Sequence, residues 1–156
     1  MRPTEPSCGV CKFSENEMTE DCIFCRISSG AAPANIVAQT SDALAFMDIN
    51  QPTPGHVLVI PRVHMRYIYE LDEDVAASVF RLTVQIAKAV KLALAPDGLN
   101  LLQANESAGQ QQVLHFHMHI VARYLGDHHL IRLGWQTNLP PPAELERLAA
   151  EIRAAL

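Results

Sequence analysis

Positive charge is scarce in this chain. Twelve Lys and Arg stand against 17 Asp and Glu over 156 residues, a formal net charge of −5. The basic residues are scattered, so the basic footprint that generic nucleic-acid binding needs is missing. Long hydrophobic runs are missing too: none approaches the roughly 20 residues of a bilayer span. The polar start MRPTEPSCGV lacks the pattern of a secretory signal. There is no internal repeat and no low-complexity linker. Cysteine is limited to four residues, arranged as two C-x-x-C pairs, Cys8/Cys11 and Cys22/Cys25. The expectation is a soluble cytoplasmic protein without membrane or nucleic-acid partners. In a reducing compartment, that cysteine spacing favours metal binding or redox chemistry over structural disulfides. Hydrophobic residues make up 49% of the chain, enough for the core of one domain.

The first 20 residues are polar and aperiodic, which predicts a flexible extension ahead of a folded unit over residues 21–156. Met18, opening MTEDCIFCRI, is itself a plausible start of that unit. Strand-like segments follow: NIVAQT and ALAFMD, split by Ser41-Asp42, then HVLVIP after the Pro/Gly punctuator QPTPGH. Leu71-Asp72-Glu73-Asp74 reads as a capped helix start with acids in the first turn. The helix it opens carries Val75, Val79, Leu82, Ile86 and Val90 on one stripe, and Pro96-Asp97-Gly98 ends it. LNLLQAN is a further strand. VLHFHMHIVARY reads as a longer one. After Gly126, Trp135 and the prolines 140–142 lie in an irregular connection, and PAELERLAAEIRAAL closes as an amphipathic helix. Only the connection around residues 61–98 is long enough for a parallel crossover; the others suit antiparallel pairing. The fold class is therefore α+β: an antiparallel five-stranded sheet with a long helix and a C-terminal helix packed to one side.

Within VLHFHMHIV, His115, His117 and His119 alternate with Phe116 and Met118. Side chains on a strand alternate faces, so the three imidazoles share one face, while Leu114, Phe116, Met118 and Ile120 share the other and go to the core. A histidine face buried without partners would cost roughly 1–3 kcal/mol per unsatisfied group, so it should look into a polar cleft. Same-face neighbours lie about 6–7 Å apart along a strand. That spacing suits a metal chelated by two imidazoles, or a phosphate flanked by imidazoles with one acting as nucleophile. A lone histidine would more often be a satisfied structural residue; strict alternation of three argues otherwise.

HFHMHI resembles the alternating signature of the histidine triad family of nucleotide hydrolases and transferases. FMDINQPTPGHVLVIPRVH, LNLLQANESAGQQQVLHFHMH and CIFCRISSG resemble further segments of that family, so the likeness runs over residues 22–125. It implies that the middle histidine, His117, attacks the α-phosphorus of a nucleotide. One of its ring nitrogens attacks while the other is held by a backbone carbonyl of the triad strand. The nucleotidyl-histidine is then hydrolysed. His119 would bond the α-phosphate oxygens, and His56 would support the nucleophile. Asp48 would hold the ribose hydroxyls, and Phe46 and Ile49 would line the base, with Ile23 and Ile27 beside them. Asn105, Gln110, Gln111 and Gln112 would surround the phosphate of a purine nucleotide or nucleotide conjugate. The loop departs from the family's usual Ala-Gly-Gln-(Ser/Thr)-Val. Either Gln110, Gln111 and Gln112 take the Gly, Gln and Ser/Thr places with the count to His115 kept, or Gly109 keeps its place and one residue is inserted.

The resemblance further implies one structural zinc per chain, on Cys22, Cys25, His64 and His115, with no metal required for the chemistry itself. A four-thiolate site that adds Cys8 and Cys11 is the rival, and two reduced thiols against the core are the plain alternative. The reaction implied is cleavage at the α-phosphate of nucleoside phosphoramidates or dinucleoside polyphosphates. The alternatives are a zinc-binding module using all three triad imidazoles, and a nucleotide-binding regulator with little catalysis. Small members of the family are commonly homodimers through the long helix and the strand beside it.

Overall fold

The computed structural model describes residues 22–127 and 140–155. The predicted extension with Cys8 and Cys11, and the segment holding Trp135, lie outside the described residues. Helix α1 spans Ile23–Ser28, followed by strands β1 (Ile36–Gln39), β2 (Ala43–Met47) and β3 (Val57–Pro61). A 3₁₀ turn over Ile68–Glu70 leads into the long helix α2 (Glu73–Leu94). Strands β4 (Gly98–Gln103) and β5 (Met118–Arg123) and helix α3 (Pro142–Arg153) complete the order.

The five strands form one antiparallel sheet in the order β1-β2-β3-β5-β4. Strands β3 and β4 both run against β5, so the connection between them, through α2, is the crossover that its length anticipates.

Helix α2 starts where its sequence dictates. Asp72 is the N-cap, and its carboxylate accepts the Asp74 backbone N–H at 2.9 Å, satisfying one of the donors a first turn leaves orphaned. Glu73 and Asp74 add negative charge at the positive end of the helix dipole. The helix stops at Ala95, which is left-handed at φ 47° and precedes Pro96. Val79, Leu82, Ile86 and Val90 are buried as the stripe requires, joined by Thr83, whose hydroxyl bonds back to the Val79 carbonyl. Val75 is only half-buried.

Alternation divides the sheet into two cores. Ala43, Ala45, Val57, Val59, Phe116, Ile120 and Ala122 pack with the α2 stripe. Leu44, Phe46, Leu58 and Ile60 face the other way and pack on Phe24 of α1. This corrects the expectation of helices on one side only: α1, a six-residue helix that the sequence pattern does not announce, covers the second face. The C-terminal helix buries none of its residues.

The triad strand is shorter than its sequence suggests. Its ladder begins at Met118, so His115 and His117 precede it in irregular backbone. The cause is local: the Phe116 N–H bonds to the Met65 carbonyl at 2.6 Å, beyond the point where β3 ends at Pro61. Alternation nevertheless persists, with Phe116 and Ile120 in the α2 core. Leu114 breaks it and is half-exposed at 51%. Among the described residues, no helix is long and apolar enough to cross a membrane.

Ile86 is 4% exposed at the centre of the α2 core, and Ile86→Ala is expected to lower unfolding free energy by roughly 2–5 kcal/mol. Asp72→Ala, which removes only the cap, should cost about 1 kcal/mol. Urea denaturation followed by far-UV circular dichroism measures both.

Candidate active site and metal-ligand cluster

The face covered by α1 carries two adjoining groups of histidines. In the first, Cys22 caps α1 and Cys25 lies in its first turn, which brings both sulfurs to one end of a short helix. The two sulfurs each approach His115 Nδ1 at 3.5 Å, and Cys25 Sγ approaches His64 Nδ1 at 3.2 Å. The four donor atoms lie within 4.8 Å of one another. With metal–sulfur and metal–nitrogen bonds of about 2.3 and 2.0 Å, the sulfur–nitrogen edge of a tetrahedral zinc site comes to about 3.5 Å. The spacing and the Cys₂His₂ chemistry therefore fit a metal ion. His115 Nε2 donates to the Pro61 carbonyl at 2.9 Å; this fixes the tautomer and leaves Nδ1 with its lone pair toward the sulfurs. Burial and the adjacent Cys22 push the Cys25 thiol up to about 12. Burial likewise pulls His115 down to about 4 and lowers His64.

The second group begins two residues later. His117 is 4% exposed, and its Nδ1–H donates to the His115 backbone carbonyl at 2.7 Å. That bond commits one ring nitrogen and leaves Nε2 as the available lone pair. Desolvation by burial holds its pKa below the ordinary imidazole range, opposed by the His115 carbonyl and Asp48. Phe24 meets the ring edge-to-face at 5.3 Å between centroids. His119 lies 4.8 Å from His117 centroid to centroid, and its Nδ1 pairs with His56 Nε2 at 2.9 Å. Burial, then the imidazoles of His117 and His56, bring His119 down to about 4.

His56 is therefore placed against His119, not against His117. Its own Nδ1 faces the Asn50 carbonyl at 2.8 Å and an Asp48 carboxylate oxygen at 3.4 Å. Two acceptors there require the proton on Nδ1. The loop that presents His56 is held by one side chain: Gln51 Oε1 accepts the Gly55 and His56 N–H groups, and Gln51 Nε2 donates to the Asp48 and His56 carbonyls. Gly55 is left-handed at φ 100°, and a Cβ there would come within 2.5 Å of Leu94. Asn50 and Gln51 carry no motif signal in the sequence; a Gln between a carboxylate and a Pro-Gly turn is recognisable only once the turn is built.

Two cavities meet at these imidazoles. An apolar one of about 460 Å³ is lined by Ile23, Phe24, Ile27, Phe46, Leu58 and Val113, with Asp48, Asn50, His117 and His119 at its polar end. Ile49 stands at its rim, 94% exposed. A polar one of about 560 Å³ shares Asp48, Asn50, Gln112, His117 and His119 and adds Gln51, His56 and Gln110.

The loop glutamines divide. Gln111 turns inward, accepting from the Glu106 N–H and donating to the Arg66 carbonyl. The Asn105 amide is occupied by the Ile68 N–H and Gln103. Neither lines either cavity, so these two expected phosphate-side residues fasten the loop to the segment before α2. Gln110 and Gln112 do line the cleft. Gln110 is left-handed at φ 65°, the conformation of a glycine position, which favours the reading that keeps the count to His115. Gly109 is needed for a different reason: a Cβ there would lie 2.2 Å from the Asn105 carbonyl oxygen.

Among the described residues, the sets that could hold a metal are Cys22/Cys25/His64/His115 and Asp48/His56/His119. His117 belongs to neither, so the three triad imidazoles do not form one chelating set.

Comparison with known proteins gives the same picture. A HIT family protein from Bacillus anthracis superposes with a TM-score of 0.84 at 34% identity, covering 88% of this chain and 98% of that one. A Zn-bound histidine triad family protein from Mycobacterium smegmatis matches with a TM-score of 0.69 at 31% identity, covering 88% and 99%. The adenosine 5′-monophosphoramidase of Schizosaccharomyces pombe is 33% identical over 135 residues, 86% of this chain and 98% of its own. The family model for the HIT domain matches residues 29–126, and with these relatives it establishes that the chain belongs to the HIT family.

Proposed function

We propose that this protein is a nucleotide-binding hydrolase or transferase that cleaves at the α-phosphate of nucleoside phosphoramidates or dinucleoside polyphosphates through a nucleotidyl intermediate on His117. The observation that carries the reading is the bond from His117 Nδ1–H to the His115 carbonyl, which leaves Nε2 unprotonated beside two cavities. In this reading a purine nucleoside occupies the apolar cavity, whose lining by Phe46, Leu58 and Ile27 suits a base and whose Asp48 suits the ribose hydroxyls. The α-phosphorus then lies at the junction. Nε2 of His117 forms a bond to phosphorus as the bond to the leaving atom breaks, that atom keeping the electron pair and taking a proton from solvent water. Water attacks the same phosphorus, the phosphorus–nitrogen bond breaks, and the nucleoside monophosphate is released with the imidazole restored. His119 faces the phosphate oxygens. Its pKa near 4 in the free site is set mainly by desolvation, and an arriving phosphate anion opposes that shift.

Cys22, Cys25, His64 and His115 would hold one structural zinc ion, which would tie α1 to the sheet. The donor spacing supports this, as does the Zn-bound family member. A homodimer through α2 and the edge strand β4 belongs to the same reading. It is supported by the apolar surface there, where Val84, Leu92 and Leu101 are exposed beside the half-buried Ala87 and Leu99.

His117→Ala should lower turnover of adenosine phosphoramidate at least about a thousandfold and abolish the covalent adduct seen by mass spectrometry in the wild type; full activity in the variant overturns the mechanism. Because burial lowers the nucleophile's pKa, its neutral form persists below pH 6.5. The acid limb of kcat/KM that reports His117 is therefore expected below that ordinary imidazole value. Metal analysis of purified protein should give one zinc per chain, and Cys22→Ala/Cys25→Ala should remove it. Sedimentation should show a dimer that Leu101→Glu converts to monomer, by placing a charge in a buried apolar contact.

A further inference from the structure

A second set of metal-binding side chains stands apart from the cysteines. Asp48, His56 and His119 each bring one donor atom within 4.8 Å of the others. Three adjacent strands put them side by side. Asp48 follows β2 and His56 precedes β3, and the Asp48 N–H donates to the His56 carbonyl at 3.1 Å. His119 lies on β5 opposite Leu58 of β3.

The set is short of positive charge. The Asp48 side chain is 14% exposed and that of His56 7%. The Asp48 carboxylate accepts the Asn50 N–H at 2.8 Å and faces His56 Nδ1 at 3.4 Å. Among the described residues, no Lys or Arg lines either cavity that Asp48 borders. A carboxylate withdrawn from water is stabilised by a paired cation or a metal ion, and this lining supplies no cation of its own.

The two imidazoles share a single proton. His56 keeps its own on Nδ1, so its Nε2 meets His119 Nδ1, 2.9 Å away, with a lone pair. Two donors at right angles on an ion, with metal–nitrogen bonds of about 2.05 Å, also stand about 2.9 Å apart. Right-angled coordination by nitrogen and oxygen is the habit of Ni²⁺ and Cu²⁺, whereas zinc takes the tetrahedral Cys₂His₂ arrangement. The polar cavity of about 560 Å³ beside the three residues has room for water in the remaining positions.

We infer that Asp48, His56 and His119 form a second metal site, for a divalent ion of the Ni²⁺ or Cu²⁺ type, and that this ion and a nucleotide exclude each other. The His119 proton passes from Nδ1 to Nε2, so the ring stays neutral. Both rings turn off their common axis, each gives the ion one lone pair, and Asp48 supplies the negative charge. The exclusion rests on the proposed function, in which Asp48 holds the ribose hydroxyls and His119 faces the phosphate. With the ion bound, neither side chain is available to a nucleotide, so the metal is a competitive inhibitor and bound nucleotide protects against it.

The test is isothermal titration of Ni²⁺, which does not oxidise thiols as Cu²⁺ does, into untagged protein purified with its zinc. One Ni²⁺ per chain should bind without releasing zinc to a chromophoric chelator. Asp48→Asn and His56→Gln should each weaken that binding at least about tenfold, with folding checked by circular dichroism. AMP at ten times its own Kd should raise the apparent Kd for Ni²⁺ about tenfold in the wild type, a measurement that needs no variant. Ni²⁺ uptake that is absent, that matches zinc release, that is unmoved in both variants or that is indifferent to bound AMP overturns the inference and leaves the proposed function standing. If AMP itself does not bind, or no His117 adduct forms in metal-free buffer, the proposed function fails, and the two variants still decide the metal site.

Discussion

One hydrogen bond, from the His117 ring to the backbone carbonyl of His115 at 2.7 Å, governs what this site can do. It decides which nitrogen of His117 keeps its proton, and therefore which is free to react. It also joins two parts of the molecule through a single residue. The ring of His115 faces the two cysteines and is held from behind by the Pro61 carbonyl, while its backbone oxygen holds the neighbouring imidazole. His115 thus meets the cysteines of α1 through its ring and the imidazole of His117 through its backbone.

The surrounding fold exists to keep that bond short and dry. Both faces of β2 and β3 are buried, one under α2 and the other under Phe24. His119 pairs in register with Leu58 and Leu102, which places it on the α1 face beside the apolar cavity. The desolvation that lowers the imidazole pKa values comes from this double cover. Polar atoms buried there are not left over: among the described residues, no buried side-chain nitrogen or oxygen lacks a hydrogen-bond partner. The chain Asn50–His56–His119 and the Gln51 clamp account for most of those near the cleft.

Much of this was legible in the residues. The cap at Asp72, the α2 stripe and the crossover role of residues 61–98 follow from local chemistry and length, and the structure bears them out. Period-2 alternation correctly placed the triad imidazoles on one face, although the ladder itself starts only at Met118. The pattern had no means of showing that the Phe116 N–H would find Met65 rather than β3. Helix α1 escaped notice because six residues are too few to display a helical period, and its N-cap makes no side-chain bond. The loop was harder still. Asn105 and Gln111 look like phosphate ligands by type, yet each amide bonds a backbone group from a segment some 40 residues earlier, a long-range pairing that composition cannot reveal.

The strand order also bears on how the molecule is made. β5 lies between β3 and β4 in the sheet, so it must insert beside a partner whose residues were synthesised about sixty positions before it. Such distant pairing is slow to close. During synthesis, β1, β2 and β3 can associate early, but their open edge waits for residues 118–123 to emerge. The face that gathers the histidines is thus completed in the last step of sheet assembly. A truncated or stalled chain ending before β5 would leave the edge of β3 unpaired and lack His119, so unfinished copies carry a hazard of sticking together with an incomplete histidine cluster.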